Sequence, residues 1–296
     1  MTRILLTGST GFLGNYIYTY LSKSNEIITV SRSHSNIEVD LSKEIPKLPN
    51  VNLVIHCAGK AHSVPKTELE KQQFYDVNCG GTLNLLKGLE KSNLPKYFVF
   101  ISSVAVYGQE KGNNINEGNP LMAKDPYGLS KIEAEKLILN WCLENKVICT
   151  ILRLPLLVGK NPPGNLGAMV NAIKKGFYFN IGRGQAKKSM VLSKDVASVI
   201  PVVCSIGGIY NLTDGFHPSF YDLSLAISKN KKLFNIPFSV AKIIGKIGDV
   251  LGDGFPINSL KVKKITSDLT FDDSSARRLL NWNPESILEY LKREEL

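Results

Sequence analysis

The octapeptide Thr7–Gly14, TGSTGFLG, carries glycines at positions 8, 11 and 14, directly after the apolar run Arg3–Thr7 (RILLT) and at the head of Phe12–Leu21 (FLGNYIYTYL). The run is β-type and the following segment repeats apolar residues near helical spacing, so the glycines occupy a strand-to-helix turn. Such a turn presents unpaired N–H groups at the positive end of a helix dipole, where a phosphate is attracted. Glycine dispenses with the side chains that would hold a pyrophosphate away from the backbone. A tight turn of purely structural purpose uses the same residues, and the surrounding sequence decides between the two.

That surrounding sequence repeats the same unit. Short apolar runs follow at 26–31 (EIITVS), 52–58 (NLVIHCA), 96–103 (KYFVFISS) and 147–153 (VICTILR), alternating with helical patterns over Phe12–Ser22, Thr67–Lys91 and Tyr127–Asn145. Strands alternating with helices predict an α/β fold, a Rossmann-type doubly wound parallel sheet with helices on both faces. Beyond Arg153 the rhythm is lost, and Pro/Gly-rich loops such as GKNPPGNLG separate shorter elements. The expected division is a dinucleotide-binding domain over 1–153, rejoined by part of 190–215, and a smaller, mostly substrate-binding lobe over 154–296.

Composition excludes several classes. The 296 residues are 43 % hydrophobic and 21 % charged, without the run of about 18 apolar residues that spans a membrane. Membrane insertion is therefore not expected. The N-terminus holds the glycine turn where a signal peptide would need a basic start and an apolar segment. Cys57, Cys79, Cys142, Cys149 and Cys204 include no C-x-x-C pair, which fits reduced thiols in a cytoplasmic protein. The net charge of +10 raises nucleic acid or an anionic membrane surface as partners. Against nucleic acid, the lysines are scattered, with only short pairs or clusters such as Lys187-Lys188, Lys231-Lys232 and Lys261 to Lys264, and no aromatic residues interleave with them as stacking platforms. A solvated surface plus a small polyphosphate ligand accounts for the same charge.

The second strand ends about 18 residues past Gly14, where dinucleotide sites place the group that reads the adenosine ribose. Ser31-Arg32 stand there, in VSRSHS, with no acid nearby. An acid would accept from the ribose hydroxyls and repel a 2′-phosphate, whereas an arginine fork pairs with that phosphate. NADP is expected over NAD on this ground; the alternative reading of Arg32 is a surface cation. Farther on, DPYGLSKIEAEKLI sets Tyr127 and Lys131 four apart on one helix face, about 6 Å from each other. An ammonium there and an oxidised nicotinamide would both lower the tyrosine pKa and make it a proton carrier. A random surface pair has the same spacing.

In combination these pieces resemble the extended short-chain dehydrogenase/reductase (NAD-dependent epimerase/dehydratase) family over nearly the whole chain. TGSTGFLG is similar to the family's T-G-x-x-G-x-x-G. Asp40-Leu41 resembles its acid-apolar pair at the adenine, and HCAG at His56–Gly59 its strand end lining the cofactor. Asn78 in DVNCGGTLNLL falls on the helix asparagine, and FISSVAVYG puts Ser103 at the catalytic Ser/Thr position, 24 residues before Tyr127. The resemblance implies hydride transfer between nicotinamide and a sugar carbon. Tyr127 would exchange the proton with that carbon's oxygen, Ser103 hydrogen-bond the same oxygen, and Lys131 hold the nicotinamide ribose. It implies cofactor contacts from Gly8, Gly11, Phe12, Leu13, Gly14, Ser31, Arg32, Asp40, Leu41, Cys57, Ala58, Gly59, Asn78, Ser102, Tyr127, Lys131 and Pro155, and no metal. Ser102 is equally read as a strand-end hydrogen bonder, and His56 and the cysteines mainly as packing.

Within the family, Val104-Ala105 stand where dehydratases carry Asp-Glu and where ring-proton-moving epimerase-reductases carry cysteine, so neither elimination nor C3/C5 epimerisation is expected. Leu154-Pro155-Leu156 replace the Tyr-Phe-Asn usual in 4-epimerases. Asn165-Leu166 resemble the epimerases' Asn-Leu, and Lys188 falls where an arginine meets the substrate diphosphate. The runs around GKAH, DPYGLSKIEAE and FDDSSARRLLNWNP are similar to bacterial UDP-N-acetyl-hexosamine 4-ketoreductases of surface-polysaccharide synthesis. His62 is then a sugar contact or an exposed loop histidine. The expectation is NADPH-dependent reduction of a 4-keto nucleotide sugar. The alternatives are a 4-epimerase using tightly held NAD and a catalytically silent NADP-sensing regulator. A homodimer through the two long helices is what the family implies.

Overall fold

The computed structural model describes residues 2–61, 65–252 and 258–294. The first half runs β1 (Arg3–Thr7), α1 (Phe12–Leu21), β2 (Glu26–Ser31), β3 (Ile37–Glu38), β4 (Leu53–His56), α2 (Glu68–Tyr75) and α3 (Gly81–Glu90). It continues with β5 (Tyr97–Ser103), β6 (Gly112–Ile115), α4 (Pro126–Glu144) and β7 (Ile148–Leu154). Next come β8 (Leu156–Val158), α5 (Gly164–Lys174), β9 (Phe179–Ile181), β10 (Met190–Leu192), α6 (Ser193–Ile206) and β11 (Gly208–Asn211). The chain closes with α7 (Phe220–Ile227), β12 (Phe234–Ile236), α8 (Phe238–Leu251), α9 (Ser259–Thr266), β13 (Leu269–Phe271), α10 (Ser274–Leu280) and α11 (Ile287–Arg293).

Among the described residues, seven strands form one parallel sheet in the order β11-β7-β5-β4-β1-β2-β3. Successive side chains of β1 point to opposite faces, so Ile4 and Leu6 join Ile17, Ile200 and Val203 under α1 and α6, while Leu5 joins Leu85, Phe98 and Ile138 under α3 and α4. Burial on both faces is why these strands read as continuous apolar runs rather than alternating ones. β1 pairs with both β2 and β4. The connections leave it in opposite directions there, and the diverging loops open a crevice at the strand carboxyl ends.

The helical pattern over Thr67–Lys91 forms α2 and α3 in one continuous helical run, widened by a π-turn at Asp76–Gly80. The wider turn carries Asn78, whose amide is bonded to Lys60 and Ser130; π-turns within helices fall often at functional sites. The smaller lobe has its own core of Val158, Leu166, Met169, Leu192, Leu223 and Ile287. The main core is completed by residues distant in sequence: β11 pairs with β7, and Ala276, Leu280 and Trp282 pack among the α6-side residues. Among the described residues no helix is long and apolar enough to cross a membrane.

Candidate active site

The glycine turn is held mainly against its own chain. A Cβ on Gly8, at φ +73°, would lie 2.7 Å from Ala58 N, and one on Gly14 would lie 2.0 Å from Gly8 O. Glycine is required at both positions by chain-to-chain approach. Gly11 caps α1 without any side-chain hydrogen bond, which leaves first-turn N–H groups of α1 for a ligand anion. Phe12 stacks edge-on with Tyr16, whose hydroxyl accepts from Lys160 N, so the start of α1 is tied to the loop after β8. Leu13 is buried in the core.

A hydrogen-bonded relay joins three strand and helix ends around this turn. Ala58 N donates to Thr7 Oγ1, Thr7 Oγ1 bonds His56 Nδ1 at 2.7 Å, and His56 Nε2 bonds Thr82 Oγ1 at 2.9 Å. Thr82 spends its one hydroxyl proton on Asn78 O, 2.6 Å away. It therefore accepts from His56, which places the imidazole proton on Nε2 and makes Thr7 the donor to Nδ1. Burial pushes the His56 pKa down to about 3, with the Lys131 charge adding to the effect, so the ring is neutral as this donor count requires.

Ser103, Tyr127 and Lys131 meet at the carboxyl end of β5. Tyr127 lies in the first turn of α4 behind the N-cap Asp125, whose carboxylate accepts from Gly128 N at 3.0 Å. A Cβ on Gly128 would lie 2.9 Å from Ala105 O, so glycine at 128 lets the helix start close on the turn that carries Ser103. Burial raises the Tyr127 pKa; a hydrogen bond with Ser103 opposes the rise, and Asp125 and Cys57 add to it. The expected lowering by Lys131 is not what the geometry provides. The Lys131 ammonium donates to Ile101 O at 2.6 Å and sits 4.0 Å from the Phe100 ring centroid. Its own pKa is pushed down to about 8 by burial, against Cys57, Glu135 and Cys79. Cys57 is pushed up to about 11 by burial and holds no thiolate at neutral pH.

Two residues expected at the cofactor carry hydrogen bonds within the chain. The Asn78 amide accepts from Lys60 N at 2.7 Å and donates to Lys60 O and Ser130 Oγ, clamping the loop after β4 to α4. A Cβ on Gly59 would lie 3.0 Å from Asn78 Oδ1, so the clamp also fixes the backbone beside Lys131. Ser102 donates to Glu135 inside a buried cluster. There Arg153 forms a two-point ion pair with Glu135, at 2.7 and 3.1 Å, and reaches the Tyr107 hydroxyl, which donates to Asn211. Glu135 and the partners of Arg153 belong to no motif in the sequence. Their signal there is charge: an arginine within an apolar strand is almost never buried unpaired, and Glu135 follows Lys131 by one helical turn on the same face.

At the other end of the crevice, Ser31 donates to Ser33 O and accepts nothing from Arg32, whose side chain is exposed. The stretch lacks an acid in sequence but not in space, because Glu38 of β3 stands opposite Ser31. Its carboxylate accepts from His34 N at 2.8 Å. Asp40 accepts from Ser42 N and Oγ, which with Lys43 and Arg32 holds its pKa low despite partial burial. Leu41 is buried, its carbonyl held by Asn84. Pro155 is half-buried where β7 gives way to β8. Asn165 is exposed in the first turn of α5, and the half-buried Lys188 has its pKa pushed down to about 8 by burial, with Asp268 opposing and Lys264 adding. His62 lies outside the described residues.

The model of the NAD dependent epimerase/dehydratase family matches residues 4–212. The chain is 29 % identical to a UDP-glucose 4-epimerase of Vibrio cholerae, over 97 % of this chain and 92 % of that protein. It is 27 % identical to the N-acetyl-alpha-D-glucosaminyl-diphospho-ditrans,octacis-undecaprenol 4-epimerase of Escherichia coli O157:H7, over 91 % and 87 %. To the GDP-6-deoxy-D-mannose reductase of Pseudomonas aeruginosa it is 34 % identical, over 72 % and 75 %. The fold is similar to that of RMD from Pseudomonas aeruginosa complexed with NADPH, with a TM-score of 0.72 and 21 % identity, covering 98 % of this chain and 97 % of that one.

Proposed function

Because the chain belongs to the NAD dependent epimerase/dehydratase family, we propose that it is an NADPH-dependent reductase of a 4-keto sugar carried on a diphosphate, of the UDP-4-keto-6-deoxy-N-acetyl-hexosamine type. The observation that carries this reading is Arg32, exposed just past the end of β2. A 2′-phosphate has a guanidinium to pair with there, and cells keep the phosphorylated cofactor reduced, which favours net reduction.

The residues present fit the cofactor: the Gly8–Gly14 turn leaves the α1 amides for the pyrophosphate, and Lys131 stands beside Gly59 and Tyr127 for the nicotinamide ribose. The nicotinamide ring, held there, would provide the hydride that reduces the carbonyl carbon. Tyr127 gives its phenolic proton to the C4 oxygen, and the carbonyl becomes a hydroxyl. Burial keeps that phenol protonated at neutral pH, which suits an acid better than a base. Ser103 donates a hydrogen bond to the same oxygen. Asn165 and Lys188 receive the diphosphate, and Pro155, half-buried where β7 gives way to β8, offers an apolar contact that suits a C6 methyl group. No group at Val104 or Ala105 serves to expel water or remove a ring proton.

A 4-epimerase is the second reading, favoured by the two 4-epimerases among the relatives. One assay separates the two. Enzyme, NADPH and UDP-4-keto-6-deoxy-N-acetyl-glucosamine should lose absorbance at the nicotinamide band. No turnover there, together with conversion of UDP-glucose to UDP-galactose without added NADPH, assigns the chain to the epimerases.

A further inference from the structure

Helix α8 is turned inside out relative to an ordinary surface helix. Its inward side is made of the small residues Ala241, Gly245 and Gly248. A Cβ on Gly245 would lie 3.1 Å from Ser259 Cα, so α8 lies close on α9 with little side chain between them. Its large residues point outward: Val240, Ile243, Ile247 and Val250 follow one another at steps of three, four and three, with Ile243 60 % and Val250 87 % exposed. A surface helix of a globular protein buries such a stripe. Leu251 beyond it, Leu260 and Ile265 on α9 and Phe234 on β12 are exposed too. Single exposed apolar residues need no explanation, but a whole stripe marks a contact surface.

The charges around the stripe name its partner. Lys242 and Lys246 each directly precede an outward isoleucine, and the segment 238–266 holds five lysines against Asp249 and Asp253. The Asp249 carboxylate is turned to Ser259 N. Lys263 and Lys264 reach Glu110 at 3.3 and 3.8 Å. Long lysine stems beside an apolar stripe let the chains sink their carbons and keep the ammonium groups at a polar boundary. A second copy of this chain would set lysines against lysines, whereas an anionic lipid surface complements both the charge and the apolar stripe. The helix is far too short to span a bilayer and has the build of one that lies in its interface.

We propose that the α8–α9 face docks on an anionic lipid bilayer. The docking face lies on the side of the smaller lobe that carries Lys188, because Lys264 of α9 stands near Lys188 and the backbone of Lys188 is bridged to Leu269 just beyond α9. The proposal does not rest on the function proposed above.

The test is therefore made on binding. The full chain is sedimented with vesicles of phosphatidylcholine alone or mixed with phosphatidylglycerol, at low and high salt, beside the double variants Ile243→Asp/Ile247→Asp and Lys242→Glu/Lys246→Glu. Circular dichroism and NADPH fluorescence titration check that each variant is folded and binds cofactor. The wild type should sediment with the phosphatidylglycerol vesicles, less so at high salt, and each double variant about tenfold less at low salt. A wild type that stays in the supernatant overturns the proposal, as do folded variants that sediment like the wild type. So does a wild-type dimer in velocity sedimentation that the Ile243→Asp/Ile247→Asp variant dissolves, since the stripe then belongs to a second copy. Each result is independent of whether the chain reduces or epimerises its sugar.

Discussion

At the scale of single residues, the chemistry rests on a phenol whose neighbours keep it protonated. Tyr127 is buried enough that its pKa rises despite Ser103, so its contribution is a proton held ready at the substrate oxygen. Tyr127→Phe should leave cofactor binding intact and lower kcat by about 10²–10⁴, the usual worth of a positioned general acid. Steady-state rates beside NADPH titrations check this, and a variant retaining most of its turnover removes Tyr127 from the role. Arg32 acts on selectivity instead. A charge-assisted bond to a phosphate contributes about 1.5–3 kcal/mol, so Arg32→Asp should reduce the preference for NADPH over NADH by about ten- to a hundredfold. Comparing kcat/KM for the two cofactors measures it; equal use by the unmodified protein contradicts the reading.

At the scale of elements, the ends of β1 and β4 and the start of α3 are one hydrogen-bonded unit with His56 at its centre. The folded value near 3 lies below the value near 6.5 that histidine has in an unfolded chain. The unfolded state therefore binds the extra proton first. The support His56 lends the fold is complete above about pH 6.5 and is withdrawn as the pH falls toward 3. In urea titrations, His56→Gln should be less stable than the wild type at pH 7, by about 1–3 kcal/mol for a broken buried network, and should lose less stability between pH 6.5 and 4. Parallel pH dependences in the two proteins contradict the relay. Arg153 and Glu135 form the companion unit behind β5, β7 and α4. Arg153→Leu leaves a buried carboxylate unpaired and should cost about 3–5 kcal/mol, measurable as a lower urea midpoint.

At the scale of the whole molecule, the two lobes are stitched by segments that cross back. The indole of Trp282 is buried in the main core and donates to Thr213 O, while α11, only a few residues on, supplies Ile287 and Leu291 to the smaller lobe's core. Trp282→Ala should therefore cost about 3–5 kcal/mol, the usual range for a large core residue. It should also lower one cooperative transition in calorimetry, not the first of two. Two separated transitions in the wild type would mean that the lobes unfold independently.

Local sequence determined the sheet and the direction of its chemistry. Strand and helix periodicities are set by backbone geometry that each segment meets on its own, and so Arg3–Thr7, the glycine turn, α4 and the Tyr127–Lys131 spacing were readable in order. What a side chain bonds to is set by segments far along the chain, and only the tertiary structure decided that. It spent Asn78 on Lys60 and Ser130, gave Ser102 to Glu135, brought Glu38 opposite Ser31, and made Gly8 and Gly14 answer to their own backbone before any phosphate. The physical reason is the same in each case: a hydrogen bond or an ion pair depends on distance in space, which separation along the chain does not encode.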